Sequence, residues 1–221
     1  MVSQIRAIET EWRGCLFRSR LEARWAVYFE ALCIDWEYEP EGFVLDDGRQ
    51  YLPDFLLHGI EGRGGPDLYV EVKGHMSEHD MEKVRGFAEH RPIYIVGSIP
   101  YDGQHDGKHW FALMEEACYK WPYPYNFETV DGDHFGAFLG VDAFGRPRLF
   151  GDDGTYLADA HEWANSAALC AAKQARFEHR ERPEDAMGFT AAIEAVRTAR
   201  VERRPFDKSS MFNQATEFKE D

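Results

Sequence analysis

Residues 68–73, Leu-Tyr-Val-Glu-Val-Lys, alternate strictly. Read as a strand, they put Leu68, Val70 and Val72 on one face and Tyr69, Glu71 and Lys73 on the other. The apolar face is expected to lie on a core. The other face would project an acid and an amine together, although taken alone this also fits a solvated strand face with a Glu and a Lys two apart. The rest of the chain must therefore supply neighbouring strands and something to cover the sheet.

The flanking sequence offers both. From Ser19 to Cys33, Leu21, Trp25, Phe29 and Leu32 recur at spacings of four, four and three, one apolar stripe on a first helix. Ile34–Glu39 alternates as a half-exposed strand and stops at Pro40; Gly42–Leu45 reads as a short strand, Asp46-Asp47-Gly48 as a hairpin turn, and Tyr51–Leu57 as its partner. The glycine-rich run 59–66 is a loop leading to 68–73. Ser77–His90 carries Met81, Val84, Phe87 and Ala88 at helical spacing behind a Ser77/Asp80 capping box, and Pro92–Val96 is an almost wholly apolar run suited to a strand covered on both faces. Trp110–Met114 offers one more strand. The order helix, three strands, helix, strand predicts an α/β fold with a mixed sheet flanked by helices.

This core is expected over 1–116. Turn residues crowd the next stretch, so 117–157 is read as loops and short hairpins. The alanine-rich runs ALCAAKQARFEH and AAIEAVRTARVE make 158–206 a largely helical C-terminal appendage, with a polar, fraying tail over 207–221.

Aromatics at 14% and hydrophobics at 44% exclude a disordered chain. No run approaches the roughly 20 apolar residues of a membrane span, and the N-terminus carries charges where a signal peptide has its apolar core. A cytoplasmic protein without membrane contact is expected. The four cysteines form no CxxC pair, so neither a zinc ribbon nor a disulfide framework is indicated. A formal charge of −15, from 25 basic and 40 acidic residues, weighs against autonomous binding to a polyanion. Its distribution is uneven: Arg6 to Arg24 holds five Arg against three Glu.

Two further residues join Glu71 and Lys73. Asp54 lies in the apolar stretch YLPDFLL, where a buried carboxylate needs a partner; the alternative is a turn cap after Pro53. Glu22 stands at the edge of the first helix's stripe and can face the sheet, while Ser19-x-x-Glu22 also fits a capping box that does no more than serve a backbone amide. Hard carboxylate oxygens beside an ammonium are what Mg²⁺-dependent phosphodiester hydrolysis requires. Asp54 and Glu71 would bind the ion with the Val72 carbonyl, and Glu22 directly or through water. Lys73 would orient the attacking water or stabilise developing charge, and would act as a base only with a depressed pKa.

Glu22 on a first helix, Pro53-Asp54, and Glu71-Val72-Lys73-Gly74 resemble the PD-(D/E)xK nuclease superfamily, over about residues 15–100. Within it, FRSRLEARWA with YLPDF and YVEVKG is most similar to transposon-end endonucleases and small phage or mobile-element nucleases. The resemblance implies a restriction-endonuclease-like core, Mg²⁺ with Mn²⁺ as substitute, Asp54 and Glu71 as metal ligands, Lys73 as catalytic lysine and Glu22 as the helix acid. It further implies DNA as substrate, an endonuclease activity, and Arg18, Arg20 and Arg24 as phosphate contacts; a solvated helix face explains the same arginines without function. Tyr51 and Gln50 are weaker candidates.

Two alternatives stay open: a catalytically silent nuclease-fold subunit of a phage or mobile-element complex, and a nuclease acting on RNA or branched DNA. The acidic charge fits any version in which a protein partner supplies basic surface. Four lesser features have simpler explanations. His75-x₃-His79 lacks a third zinc ligand, Trp121, Tyr123 and Tyr125 fit packing aromatics as well as base-stacking ones, the glycine-rich loop lacks a phosphate loop's GK[ST], and Glu39, a candidate for a second ion, is explained by its strand.

Overall fold

The computed structural model describes residues 7–60, 65–74, 76–99, 110–113, 137–151, 160–177 and 182–202. Two three-residue strands, β1 (Thr10–Trp12) and β2 (Cys15–Phe17), form an antiparallel hairpin turning at Arg13 and Gly14. Helix α1 spans Arg20–Ala31 behind Ser19, whose hydroxyl accepts the Glu22 amide. Strand β3 (Asp35–Tyr38) follows, then the hairpin of β4 (Phe43–Val44) and β5 (Gln50–Tyr51), then β6 (Phe55–His58) and β7 (Leu68–Val72). Helix α2 (Glu78–Ala88) starts in the expected Ser77/Asp80 capping box and leads to β8 (Ile93–Val96), followed by β9 (Trp110–Leu113). A second hairpin, β10 (Ala137–Val141) and β11 (Pro147–Gly151), precedes helices α3 (Glu162–Gln174) and α4 (Phe189–Glu202).

The central sheet has the order β3-β6-β7-β8-β9. Pairing is antiparallel throughout except between β7 and β8, which run parallel because α2 carries the chain back across the sheet. The fold is thus mixed α/β, a mixed sheet flanked by helices. Among the described residues no helix is long and apolar enough to cross a membrane.

Each sheet face has its own core. Phe55, Leu57, Leu68, Val70, Val72, Tyr94 and Val96 join Trp25, Tyr28 and Phe29 of α1 in one buried cluster. On the opposite face Tyr69, Ile93 and Ile95 pack with Val84, Phe87 and Ala88 of α2, together with Leu45 and Tyr51. Strand β7 is therefore buried on both sides, and the Tyr69–Glu71 face read as polar is covered by α2 and β5. Alternation in the sequence reflects the chemistry of the covered face, not its exposure.

Two element boundaries are corrected, and two features left open by the sequence are filled in. Tyr51–Leu57 is not one strand: β5 closes the β4 hairpin, the chain breaks at Leu52-Pro53-Asp54, and β6 resumes in the main sheet. Pro53 has no N–H with which to continue a ladder. The polar start holds the β1–β2 hairpin, whose strands are too short to show a period. The helical appendage packs directly on α1: Ala164, Ala168, Ala171, Ala172, Ala192 and Val196 belong to the same cluster as Trp25 and Phe29. The helix expected to run through ARFEH ends at Gln174. The tail 207–221 and the aromatics Trp121, Tyr123 and Tyr125 lie outside the described residues.

Alanines let α3 and α4 approach closely, and Gly188 marks the tightest point. Its φ is +93°, and an added Cβ would stand 2.4 Å from the Ala167 carbonyl oxygen. Gly48 has φ +82° but open space around it. Gly48→Ala is expected to cost about 1 kcal/mol from backbone strain alone. Gly188→Ala adds a forced separation of α3 from α4 and is expected to cost roughly 1–3 kcal/mol more, read as a larger fall in the thermal unfolding midpoint.

Candidate metal and phosphate site

The site forms where the β6–β7 ladder ends. The last main-chain bond of that ladder runs from the Asp54 amide to the Val70 carbonyl, at 3.1 Å. One step on, the Asp54 side chain replaces the main chain, and its Oδ2 accepts the Val72 amide at 2.7 Å. A strand residue's N–H and C=O face the same edge, so the Val72 carbonyl also lies on the Asp54 side. The Lys73 amide points the other way, to the Val96 carbonyl at 2.8 Å.

Asp54 is 2% exposed and Glu71 4%. Glu71 accepts the Tyr51 hydroxyl at Oε2 over 2.7 Å, and its Oε1 lies 2.9 Å from the Lys73 ammonium. Tyr51, a weak sequence candidate, is packed on Phe87 with ring centroids 5.0 Å apart and thereby holds Glu71 from the α2 side. Gln50, beside it, is exposed.

Glu22 is buried too, but occupied. Its carboxylate accepts the Ser19 hydroxyl at 2.7 Å, the Tyr38 hydroxyl at 2.7 Å and the Arg18 amide at 3.1 Å. The helix-start alternative for Glu22 is thus realised in part, alongside its approach to the sheet. Tyr38, packed 4.6 Å from Phe17 and 5.3 Å from Phe55, is a site residue the sequence did not reveal. Its place in an alternating strand made it look like an ordinary half-exposed aromatic.

The three arginines separate. Arg18 pairs through Nη2 with Asp54 Oδ1 and through Nε with Glu39 Oε1 at 2.9 Å. Arg20 lines a different cleft of about 370 Å³ with Trp12, Arg13 and Phe177. Arg24 has its Nε buried without a hydrogen-bond partner among the described residues, and burial followed by repulsion from Arg20 lowers its pKa. Glu39, which the sequence offered either for a second ion or as an ordinary strand residue, stands beside the site: its amide donates to the Asp54 carbonyl at 2.9 Å, and its φ is +48°. His79 is exposed on α2 and His75 lies outside the described residues.

Electrostatically the site is short of positive charge. Among the described residues, Glu22, Glu39, Asp54 and Glu71 are paired with two cations, Arg18 and Lys73. Burial raises the Asp54 pKa above the ordinary carboxylate range, and the neighbouring Glu71 raises it further, against the opposing pull of the Val72 amide and Arg18. For Lys73 burial acts to lower the pKa, but the Glu71 carboxylate outweighs it and the net shift is upward. Lys73 therefore stays an ammonium and is no proton acceptor in this arrangement.

A donor set of Asp54, Glu71 and the Val72 carbonyl would be all hard oxygen, with more carboxylates than cations around it, and would fit Mg²⁺ or Mn²⁺ better than zinc. Asp54, Glu71 and Glu22 do not all come within 4.8 Å of one another; among the described residues the one such trio of potential ligands is the exposed Asp46, Glu89 and His90.

Because Asp54 titrates higher in the folded than in the unfolded chain, the native state keeps a proton over a window in which the unfolded chain has lost it. Stability from this source is full below the ordinary carboxylate range and is lost as pH rises through the folded-state pKa. Asp54→Asn lacks that dependence. Urea unfolding from about pH 5 to about pH 8 without divalent ions should show the variant gaining on wild type by up to about 1.4 kcal/mol per pH unit inside the window. A variant that loses ground as pH rises would mean that Arg18 and the Val72 amide outweigh burial and Glu71. No protein-family model, curated protein or solved structure matches this chain, so the reading of the site rests on its own residues and geometry.

Proposed function

We propose that the chain is a metal-dependent nuclease of the PD-(D/E)xK kind that hydrolyses phosphodiester bonds of DNA. The observation that carries this reading is the pair of buried carboxylates, Asp54 and Glu71, presented by adjacent strands with the Lys73 ammonium on Glu71. Enclosing two like charges side by side is costly unless something positive is shared between them. Supporting it is the element order: α1, three strands of one sheet, α2, and then β8 parallel to β7 is the order the resemblance implies for a restriction-endonuclease-like core.

Asp54, Glu71 and the Val72 carbonyl would hold the ion, which when bound polarises a phosphoryl oxygen and acidifies water. Lys73, kept protonated by Glu71, donates hydrogen bonds to the attacking water or to a phosphoryl oxygen as negative charge builds there. Tyr51 fixes the Glu71 rotamer. Glu22 holds the start of α1 against Tyr38, which positions Arg18 at the mouth of the site.

The test is incubation of supercoiled plasmid with the full chain in Mg²⁺, Mn²⁺ or EDTA, beside folded Asp54→Asn, Glu71→Gln and Lys73→Ala variants. Cleavage is expected only with the metal, and a fall on the order of 10² or more is expected for each variant. Saturating Mg²⁺ should also raise the unfolding midpoint of wild type and leave Asp54→Asn unmoved. Folded wild type that cuts in neither metal would overturn the catalytic reading.

A further inference from the structure

Arg18 stands out because it uses the group that the nuclease reading assigns to the ion. Of the two Asp54 oxygens, Oδ2 is taken by the Val72 amide and Oδ1 by Arg18 Nη2. The Arg18 side chain is nevertheless 53% exposed, whereas Asp54 is 2% exposed, so the guanidinium reaches in from the solvent side. Its root stays fixed: the Arg18 amide is held by Glu22 at 3.1 Å and by the Tyr38 hydroxyl at 3.0 Å. A second anchor, Arg18 Nε on Glu39 Oε1, is itself one-third exposed and tied to the Asp54 carbonyl through the Glu39 amide.

We infer that Arg18 and the divalent cation compete for Asp54 Oδ1, and that cation binding turns the guanidinium, still hinged at Glu39, toward a phosphate of the nucleic acid. The inference rests on the nuclease reading of Asp54 and Glu71 and specifies how that site couples its two ligands. A guanidinium with one edge on Glu39 retains free N–H groups in a planar fork that matches phosphate oxygens. Competition lowers cation affinity when no nucleic acid is present. By linkage, each ligand then strengthens the other: nucleic acid that captures Arg18 frees Asp54 for the cation, and the cation frees Arg18 for a phosphate. A purely structural Arg18, bracing Asp54 in place, predicts the reverse, because its loss would loosen the ligand set.

The experiment is calorimetric titration of the full chain with Mn²⁺ alone, at alkaline pH, for wild type, Arg18→Gln and Asp54→Asn, with circular dichroism to establish folding. Arg18→Gln is expected to bind Mn²⁺ about tenfold more tightly than wild type, equivalent to roughly 1.4 kcal/mol of released competition, and Asp54→Asn to lose binding. Mn²⁺ binding by Arg18→Gln but not by wild type would support the inference in its strongest form. Equal or weaker binding by Arg18→Gln, with wild type binding normally, overturns it and leaves the nuclease reading standing. Binding by neither protein overturns both. As a second measurement that needs no turnover, the affinity of a short DNA duplex is measured with and without Ca²⁺ over a series of salt concentrations. Wild type should gain more from Ca²⁺ than Arg18→Gln, and the variant's salt slope with Ca²⁺ present should be shallower by about one phosphate contact. Identical gains and slopes overturn the transfer to phosphate.

Discussion

Where β6 and β7 part, a side chain does the work of the main chain. The Asp54 carboxylate accepts the Val72 amide that the ladder has abandoned, and this one hydrogen bond fixes the carboxylate opposite Glu71 at the end of a strand buried on both faces. Much of the local architecture answers the resulting problem of enclosed negative charge. Tyr51 arrives from the β4–β5 hairpin to donate to Glu71, Lys73 turns back along its own strand to the same group, and Arg18 reaches in from the start of α1. Each answer comes from a different element, so the site closes only when the sheet, the hairpin and the first helix have all assembled.

The two cores divide the positioning between them. On the α1 face an aromatic group of Phe17, Phe29, Trp36, Tyr38 and Phe55 fixes the Tyr38 hydroxyl, which sets Glu22 and the Arg18 backbone. On the α2 face Phe87 supports Tyr51 and through it Glu71. Behind α1, the small residues of α3 and α4 allow close helix packing, and Trp25 ties α1 to the end of β8 through the Gly97 carbonyl at 2.8 Å. The C-terminal helices therefore bear on the site indirectly, by fixing the helix that carries Glu22, whose carboxylate holds the Arg18 amide.

Local periodicity was legible in the sequence because it is a property of neighbouring residues. Of the stripe Leu21, Trp25, Phe29 and Leu32, Leu21 is half-buried and the other three are fully buried on α1 and its C-cap; the Ser77/Asp80 capping box starts α2, and Ile93–Val96 forms a strand covered on both faces. Asp54, Glu71 and Lys73 were grouped in the sequence by their chemistry and by the PD-(D/E)xK resemblance, and the structure brings them together at the ends of β6 and β7. What the sequence concealed depends on distant pairing or on burial. Tyr38 meets Glu22 across 16 residues and Arg18 meets Asp54 across 36, with no spacing rule to announce either. The Tyr69–Glu71 face has the composition of a solvated surface, and only the placement of α2 and β5 encloses it. The β1–β2 hairpin is too short for a period, and the break at Pro53 moved β6 from the β4 hairpin into the main sheet.

The overall acidity of the chain looks different once this enclosure is considered. A charge of −15 repels a phosphate backbone at long range, and screening at physiological salt confines that repulsion to about 8 Å. Within that distance the local sum around Asp54 decides. As it stands, four carboxylates against Arg18 and Lys73 still repel a phosphate. On the nuclease reading, one divalent ion brings the group to balance and places positive charge beside the Lys73 ammonium. Affinity for the backbone then becomes conditional on the ion in a way that a chain with a broad basic face could not achieve. An acidic nuclease of this kind would bind nucleic acid weakly without metal and chiefly at the catalytic centre with it, leaving wider sequence or structure recognition to a partner's surface.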